Sequence, residues 1–286
     1  KWKVLYGLTD EKSANLIYDD GIHILVDLSG HTGHNRLPVF AFKPAPVQIS
    51  WLGYFATTGL AEMDYILGDP YVTPLEYQNF FTEKIWQLPE TRWCFTPPGY
   101  NIDCGILPAT QNNYITFGCF NNYTKLNETV VALWARILNS VSNSRLFLKA
   151  SQFGDQKVKE EVIQRFLNYG IDARRIKVEG FDLREIFFSS YQQIDIALDP
   201  FPFSGGTTTV EALWMGVPVL TLQGKSLVSR QGVGVLMNVG LSHWIANDQD
   251  EYLTKAISFT TDLDKLAALR LGLRKQVLAS PLFDAV

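Results

Sequence analysis

The sequence predicts an α/β protein with two parallel sheets, on three observations. From Tyr114 onward, short β-rich runs alternate with helical patterns, and strand, helix, strand in repetition builds a parallel sheet with helices on both faces. Residues 3–88 repeat the theme less regularly. Between the two parts, residues 89–113 are rich in Pro, Gly, Asn and Thr and show no periodicity, the composition of a hinge or linker. Together these give two Rossmann-like lobes facing each other across a cleft, one at residues 1–105 and one at residues 106–286. A chain of 286 residues with 47% hydrophobic and 19% charged residues can bury both cores.

In the first part, "KVLYG", "IHILVDLSG", "VQISWLG", "MDYILGD" and "EKIWQLP" read as strands and "DEKSANLIYDDG" as a helix. In the second, the strand "YITFGCF" precedes "NETVVALWARIL", where Asn127 can cap and Val130, Leu133, Trp134 and Ile137 fall at helical spacing. "RLFLK" leads to a helix carrying Val158, Val162 and Phe166 that stops at Gly170. "RIKVEGF" runs into Asp182 to Glu185, which has capping-box spacing. "QIDIALD" is followed by "DPFPFSGGTTTVEALWMG", in which Pro200 and Pro202 break the backbone and a helix begins near Thr207 or Thr208. The strand "VPVLTL" and helical segments through "LDKLAALRLGLRKQVL" complete the pattern.

The formal net charge of −4 leaves no basic footprint for nucleic acid or an anionic membrane, so any anion site must be local. Cys94, Cys104 and Cys119 are an odd number without paired spacing, which suits a reducing compartment. There is no secretory start and no apolar run of membrane-spanning length. The chain opens at Lys1, not Met, and reads as a piece of a larger, cytoplasmic protein.

In "SGGTTT", Gly205 and Gly206 let a backbone approach a ligand, and Thr207, Thr208 and Thr209 add hydroxyls to the unpaired amides and positive dipole end of a helix start. Two readings fit the residues equally: a cradle for phosphate, or a glycine turn with one Thr capping the helix. Its position after a strand favours the cradle, because ligands of open α/β sheets sit beyond the carboxyl ends of the strands. Glu211, one turn on, can accept from a ribose hydroxyl or complement the dipole as a first-turn acid. No G-x-G-x-x-G follows a strand and no Lys follows the final Gly, so hydride transfer and NTP hydrolysis lose their usual support.

Other candidates are less decided. Lys125 can neutralise a leaving diphosphate, although from the residues alone it reads as a solvated side chain before a cap. His31 and His34 of "SGHTGHNR" lack companion ligands for a metal and read as loop histidines near substrate, or as plain surface. Asp248-Gln249-Asp250 and Asp262-Leu263-Asp264 match Asp-x-Asp but sit at helix starts, where capping explains them, so no metal is implied. Around "WLGYFATTG", Trp51, Tyr54 and Phe55 suit either the core or packing on a sugar.

Several blocks resemble, in order, the catalytic region of the protein O-GlcNAc transferases, the SPINDLY-like group included: "DGIHILVDLSGHTGHNRLPVFAFKPAPVQISWLGY", "MDYILGDP", "FNNYTK", "IDIALDPFPFSGGTTTVEALWMGVPVLTL", "SRQGVGVLMNVGL" and "SPLFD". The resemblance covers nearly the whole chain. It implies a GT-B fold that binds nucleotide-sugar on the second lobe. The implied activity is metal-independent, inverting transfer of GlcNAc from UDP-GlcNAc to Ser or Thr of an acceptor protein, without a cofactor. It also implies that Lys125 is the catalytic residue on the diphosphate, that Gly205, Gly206, Thr207 and Thr208 form the diphosphate loop, and that Glu211 meets the ribose. Asn122 stands where a Gln near the donor is usual, Leu52 and Gly53 match the sugar pocket, and Arg36 matches a first-lobe arginine near the site.

There are departures. Gly206 and Phe187 stand where animal members have histidines, and Arg184 where they have a Lys. The family's first-lobe histidine proposed to act near the acceptor, and its tetratricopeptide repeats, lie upstream of Lys1, which leaves the lobe at 1–105 incomplete. Rival expectations are a GDP-fucose or other hexose transferase of the same fold, an epimerase, and a nucleotide-sugar-binding scaffold that no longer transfers.

Overall fold

The computed structural model describes residues 2–180 and 182–284. The chain divides into two compact units, Lys1–Trp93 and Cys94–Val286. Among the described residues no helix is long and apolar enough to cross a membrane.

The first unit contains α1 (Asp10–Asp19), β1 (Ile24–Asp27), α2 (Leu37–Ala41), β2 (Val47–Ser50), β3 (Tyr65–Gly68) and β4 (Lys84–Gln87). Thr9 caps α1 by accepting from the Lys12 amide at 3.2 Å. The four strands pair in parallel in the order β1-β2-β3-β4. Leu37, Phe40 and Met63 form a buried cluster against which Leu25 and Leu60 pack. The Gln48 amide, fully buried, donates to the Phe40 and Glu62 carbonyls at 2.9 Å each, which ties β2 to the segments flanking it.

"KVLYG" is not a strand: residues 2–5 are irregular and residues 6–7 form a turn. A strand needs a hydrogen-bonded neighbour, and β1, the nearest strand in sequence, pairs with β2 among the described residues. Val4 and Tyr6 are accordingly exposed, as are Ile24 and Val26 of β1.

The second unit contains α3 (Ala109–Asn112), β5 (Ile115–Cys119), α4 (Glu128–Ser140), β6 (Ser144–Lys149), α5 (Gln156–Leu167), β7 (Ile176–Glu179) and α6 (Arg184–Ser189). These are followed by β8 (Ile196–Leu198), α7 (Thr207–Trp214), β9 (Val219–Leu222), α8 (Gln231–Asn238), β10 (Ile245–Ala246), α9 (Gln249–Ser258) and α10 (Leu263–Leu278). Its six strands are parallel in the order β10-β9-β8-β5-β6-β7, the doubly wound Rossmann order. β5 and β8 are buried at every residue, as strands covered on both faces must be. Gly118 of β5 is required by packing: a Cβ there would stand 2.2 Å from Ile194 Cδ1.

Asn127, Asp248 and Asp262 cap α4, α9 and α10, so both Asp-x-Asp segments are helix starts. The capping box expected at Asp182 does not form. Leu183 precedes α6 without a side-chain cap, and the Asp182 carboxylate instead pairs with the buried Lys149 ammonium, which also holds Glu179 at 2.8 Å. A desolvated cation outbids an exposed helix start for a carboxylate.

Residues 94–105 group with the second unit, and two arginines of α10 account for it. Arg270, fully buried, donates to the Cys104 and Gly105 carbonyls at 2.8 and 3.2 Å and to Ile194 O at 2.7 Å. Arg274 donates to Ile102 O at 2.7 Å and to Trp214 O at 2.6 Å, with its guanidinium 4.0 Å from the Trp214 ring centre. Replacing Arg270 by Met should cost about 3 to 5 kcal/mol in urea unfolding, because buried carbonyls lose their donor. Leu271→Ala, one residue on and 76% exposed, should shift stability by less than about 0.5 kcal/mol.

Candidate functional site

β5 and β8 are neighbours in the sheet, and strand order runs outward from them in opposite directions. The loops that leave their carboxyl ends therefore diverge, and the crevice between such loops is where open α/β sheets take ligands. The β5 loop carries Asn121, Asn122 and Lys125; the β8 loop carries Asp199 and runs through Ser204, Gly205 and Gly206 into α7.

Asn121, 8% exposed, joins the two loops. Its Oδ1 accepts from Lys125 Nζ at 2.9 Å and from Thr208 Oγ1 at 2.9 Å. Lys125 also donates to Ser204 O at 3.1 Å and lies 4.0 Å over the Phe203 ring. Burial lowers the pKa of its ammonium, and Asp199 opposes the shift. A half-buried, doubly anchored lysine is not the solvated side chain that its local sequence suggests.

Beneath the loop sits Asp199, fully buried. It accepts from the Gly205 amide at 2.6 Å and from Thr221 Oγ1 at 2.6 Å. Gly205 allows the loop to fold over it, since a Cβ would come within 2.5 Å of Thr209 Oγ1 and 2.8 Å of Thr208 Oγ1. None of the three threonines caps α7: Gly206 occupies the N-cap, without a side-chain bond. The Thr207 and Thr208 amides thus lack intrahelical partners, while the Thr209 amide donates to Gly206 O at 3.0 Å. Of the two readings of "SGGTTT", the capped turn is not the one present.

Glu211 is buried on α7, and Arg184, at the start of α6, donates to its Oε1. Burial pushes the Glu211 carboxyl up and Arg184 pulls it partly back. The guanidinium lies 4.7 and 5.3 Å from the ring centres of Phe188 and Phe187. A cavity of about 290 Å³ opens here, lined by Tyr100, Arg184, Phe188, Thr207, Glu211 and Trp214. Exposed Asn122 uses its carbonyl oxygen on Thr124 Oγ1 and Gln152 Nε2, at 2.9 Å each.

The first-lobe candidates are placed within their own unit. Leu52, at φ 64°, and Gly53 follow β2, and a Cβ on Gly53 would lie 1.6 Å from Leu28 O. Arg36 is engaged locally: it donates to Leu8 O at 3.2 Å and Ser13 Oγ at 2.7 Å and pairs with Asp10 at 3.0 Å. His31 meets Thr58 O at 3.0 Å and packs edge-on against Tyr54, while exposed His34 sits at φ 60°. Among the described residues no three His, Cys, Asp or Glu gather as a metal-ligand set.

Sequence reasoning missed Asn121 and Asp199. Their signal was position, each standing just past a buried strand and each polar where the apolar run ends. Burial raises the Asp199 carboxyl to about 6, and Asp195, which accepts from the Ala109 and Thr116 amides, is raised likewise. A carboxyl whose folded pKa exceeds its unfolded value binds its proton more tightly when folded. Its contribution is therefore most favourable near pH 4 and is lost as pH rises to about 6, by about 3 kcal/mol for each group. Asp199→Asn should flatten about half of that fall in urea unfolding followed from pH 4 to 7; an unchanged slope would contradict the burial of Asp199.

With this geometry, the likeness to known proteins can be read. The model of glycosyl transferase family 41 matches residues 7–95 and 107–286. SPINDLY of Eustoma exaltatum subsp. russellianum, named a probable UDP-N-acetylglucosamine–peptide N-acetylglucosaminyltransferase, is 38% identical over 99% of this chain and 31% of its own length. The Arabidopsis thaliana SPINDLY protein is 37% identical over 98% of this chain and 31% of its own. A mutant of the Thermobaculum terrenum O-GlcNAc transferase superposes with a TM-score of 0.89 at 37% identity, over 96% of this chain and 52% of its own. The chain spans about a third of the length of the curated relatives it matches. Its two parallel-sheeted lobes are those of the GT-B fold, and the chain belongs to glycosyl transferase family 41.

Proposed function

We propose that the chain is the catalytic region of a protein O-GlcNAc transferase, moving GlcNAc from UDP-GlcNAc to Ser or Thr hydroxyls with inversion. The observation that carries this reading is the convergence at Asn121 Oδ1 of the Lys125 ammonium and the Thr208 hydroxyl, at the open start of α7. The acceptor hydroxyl oxygen attacks the anomeric carbon from the face opposite the diphosphate, the bond from that carbon to the β-phosphate oxygen breaks, its electron pair leaves with the UDP, and the hydroxyl proton is released to solvent. Lys125 and the first amides of α7 meet the charge where it develops, a role that in this reading needs no metal ion. Gly205 lets the loop close over Asp199 beneath the phosphates, Gly206 leaves the start of α7 without a side chain, and Glu211 offers the carboxylate oxygen not held by Arg184 to a ribose hydroxyl. Asn122 keeps its amide NH2 for the donor and Arg184 stays near the ribose, while within the first unit Leu52 and Gly53 form the turn after β2 and Arg36 braces the segment around Leu8 and Ser13.

The relatives' greater length supports placing this chain after tetratricopeptide repeats that present acceptor proteins, and its three free thiols suit the cytoplasm. A GDP-sugar donor such as GDP-fucose is the second reading. Phe187 favours it, being an aromatic surface, packed on Phe120 and Tyr191, where a histidine would otherwise meet uracil.

Two experiments test these readings. Lys125→Ala in the full-length protein should keep the wild-type circular dichroism yet lose about 100-fold or more in turnover of a radiolabelled sugar onto peptides; wild-type turnover would remove Lys125 from the chemistry. Titration calorimetry should give tighter binding of UDP than of GDP. The reverse order would move the assignment to a GDP-sugar, and binding without transfer to any peptide would leave a scaffold.

A further inference from the structure

We propose that the second lobe has a separate anion site at the amino ends of its strands, which takes a small phosphate-bearing molecule. The cradle at Lys125 lies past the carboxyl end of β5, whereas a larger cavity, about 620 Å³, is lined from the starts of β5, β6 and β7. A five-residue strand separates the two by roughly 15 Å, so one ligand headgroup does not serve both. The volume falls within the range of small-molecule pockets.

Its chemistry points to an anion. Arg145, Arg174, Arg175 and Lys177 line the cavity and no Asp or Glu does, in a chain of net charge −4. Two of the four have neighbouring acids: Arg174 pairs with Asp172, and Lys177 with Glu179 at 2.7 Å. The other two form no ion pair among the described residues, although Asp172 acts on Arg175 through space. Arg175 uses its donors within the protein, 2.8 Å from Ser144 O, 2.6 Å from Leu138 O and 3.0 Å from Ser144 Oγ, so it contributes field and not contacts. The Arg145 guanidinium is held 4.0 Å over the Tyr114 ring with no acceptor among the described residues, its donors free for a ligand.

The same geometry narrows the class. Lys177 lies 4.2 Å over the buried Phe147 ring as Arg145 lies over Tyr114, so a base or sugar stacking on either of those faces must first displace a cation. Recognition therefore falls to the phosphate, with Gln193, now bound to Lys177 at 2.7 Å, beside it.

Inorganic pyrophosphate is the probe, in titration calorimetry at low ionic strength. The wild-type protein should take two equivalents. Arg145→Glu should weaken one of them about tenfold or more, and Arg145→Gln should do so to a smaller degree, with the melting temperature unchanged because the side chain is exposed. Lys125→Ala should keep the Arg145-dependent equivalent. Wild-type binding in Arg145→Glu, or no binding in Lys125→Ala, would overturn the site. A single equivalent lost in Arg145→Glu would uphold it and remove the phosphate role of the α7 cradle instead. Repeating the titration with UDP separates the sources: two equivalents support a nucleotide as occupant, one a phosphate compound without the base.

Discussion

The pairing of β5 with β8 is the constraint on which the donor end of the second lobe depends. Phe117 and Gly118 register with Ile196 and Ala197, and beyond that register the two loops have no common sheet to hold them. Asn121 takes over where the ladder stops, a single carbonyl oxygen accepting from both loops. Asp199 does the corresponding work from below, binding the amide that begins the turn into α7 and the hydroxyl of the next strand. A charged acceptor in this role is worth more than a neutral one, and burial is what it costs. The position of Lys125 is thus inherited from strand pairing through two polar side chains.

Much of this was legible in the sequence. The buried strands of the second lobe announce themselves as unbroken apolar runs, and the caps at Asn127, Asp248 and Asp262 follow from side chains acting on amides three residues ahead. Local rules fail where a distant partner competes. Asp182 has the spacing of a cap but faces Lys149, and Lys125 has the neighbours of a solvated residue but finds Ser204, 79 positions away. Family resemblance points to Asn122, which stands where a Gln is usual, and nothing in "FNN" marks Asn121; only the fold says which of them points inward. Arg36 belongs to the same class, since its acceptors at Leu8 and Ser13 precede it by more than a helical turn. "KVLYG" shows the converse, a run with strand composition that no hydrogen-bonded neighbour makes into a strand.

The second lobe presents positive potential in two physically different ways. At the carboxyl ends of its strands the sources are main-chain amides and one lysine fixed by hydrogen bonds, an arrangement with little freedom to reorganise. At the amino ends the sources are long side chains laid on aromatic rings, which orient a cation without consuming its donors. Rigid dipoles suit charge that develops during a reaction, whereas side chains over rings suit an anion that arrives already charged.

The arginine clamp of α10 bears on the order in which this lobe is made. Arg270 and Gly105 are 165 positions apart, and Arg274 and Ile102 are 172 apart. On the ribosome the segment around Ile102 emerges long before its donors exist, and at about 5 to 20 residues per second the wait is on the order of ten seconds or more. During that interval the six strands have all been synthesised while the lobe's first segment is held by Gln192 at Asp103 O and still lacks both arginines. This long helix therefore acts as a closing stitch, and a chain cut short before it leaves the carbonyls of Ile102, Cys104 and Gly105 to solvent or to another polypeptide.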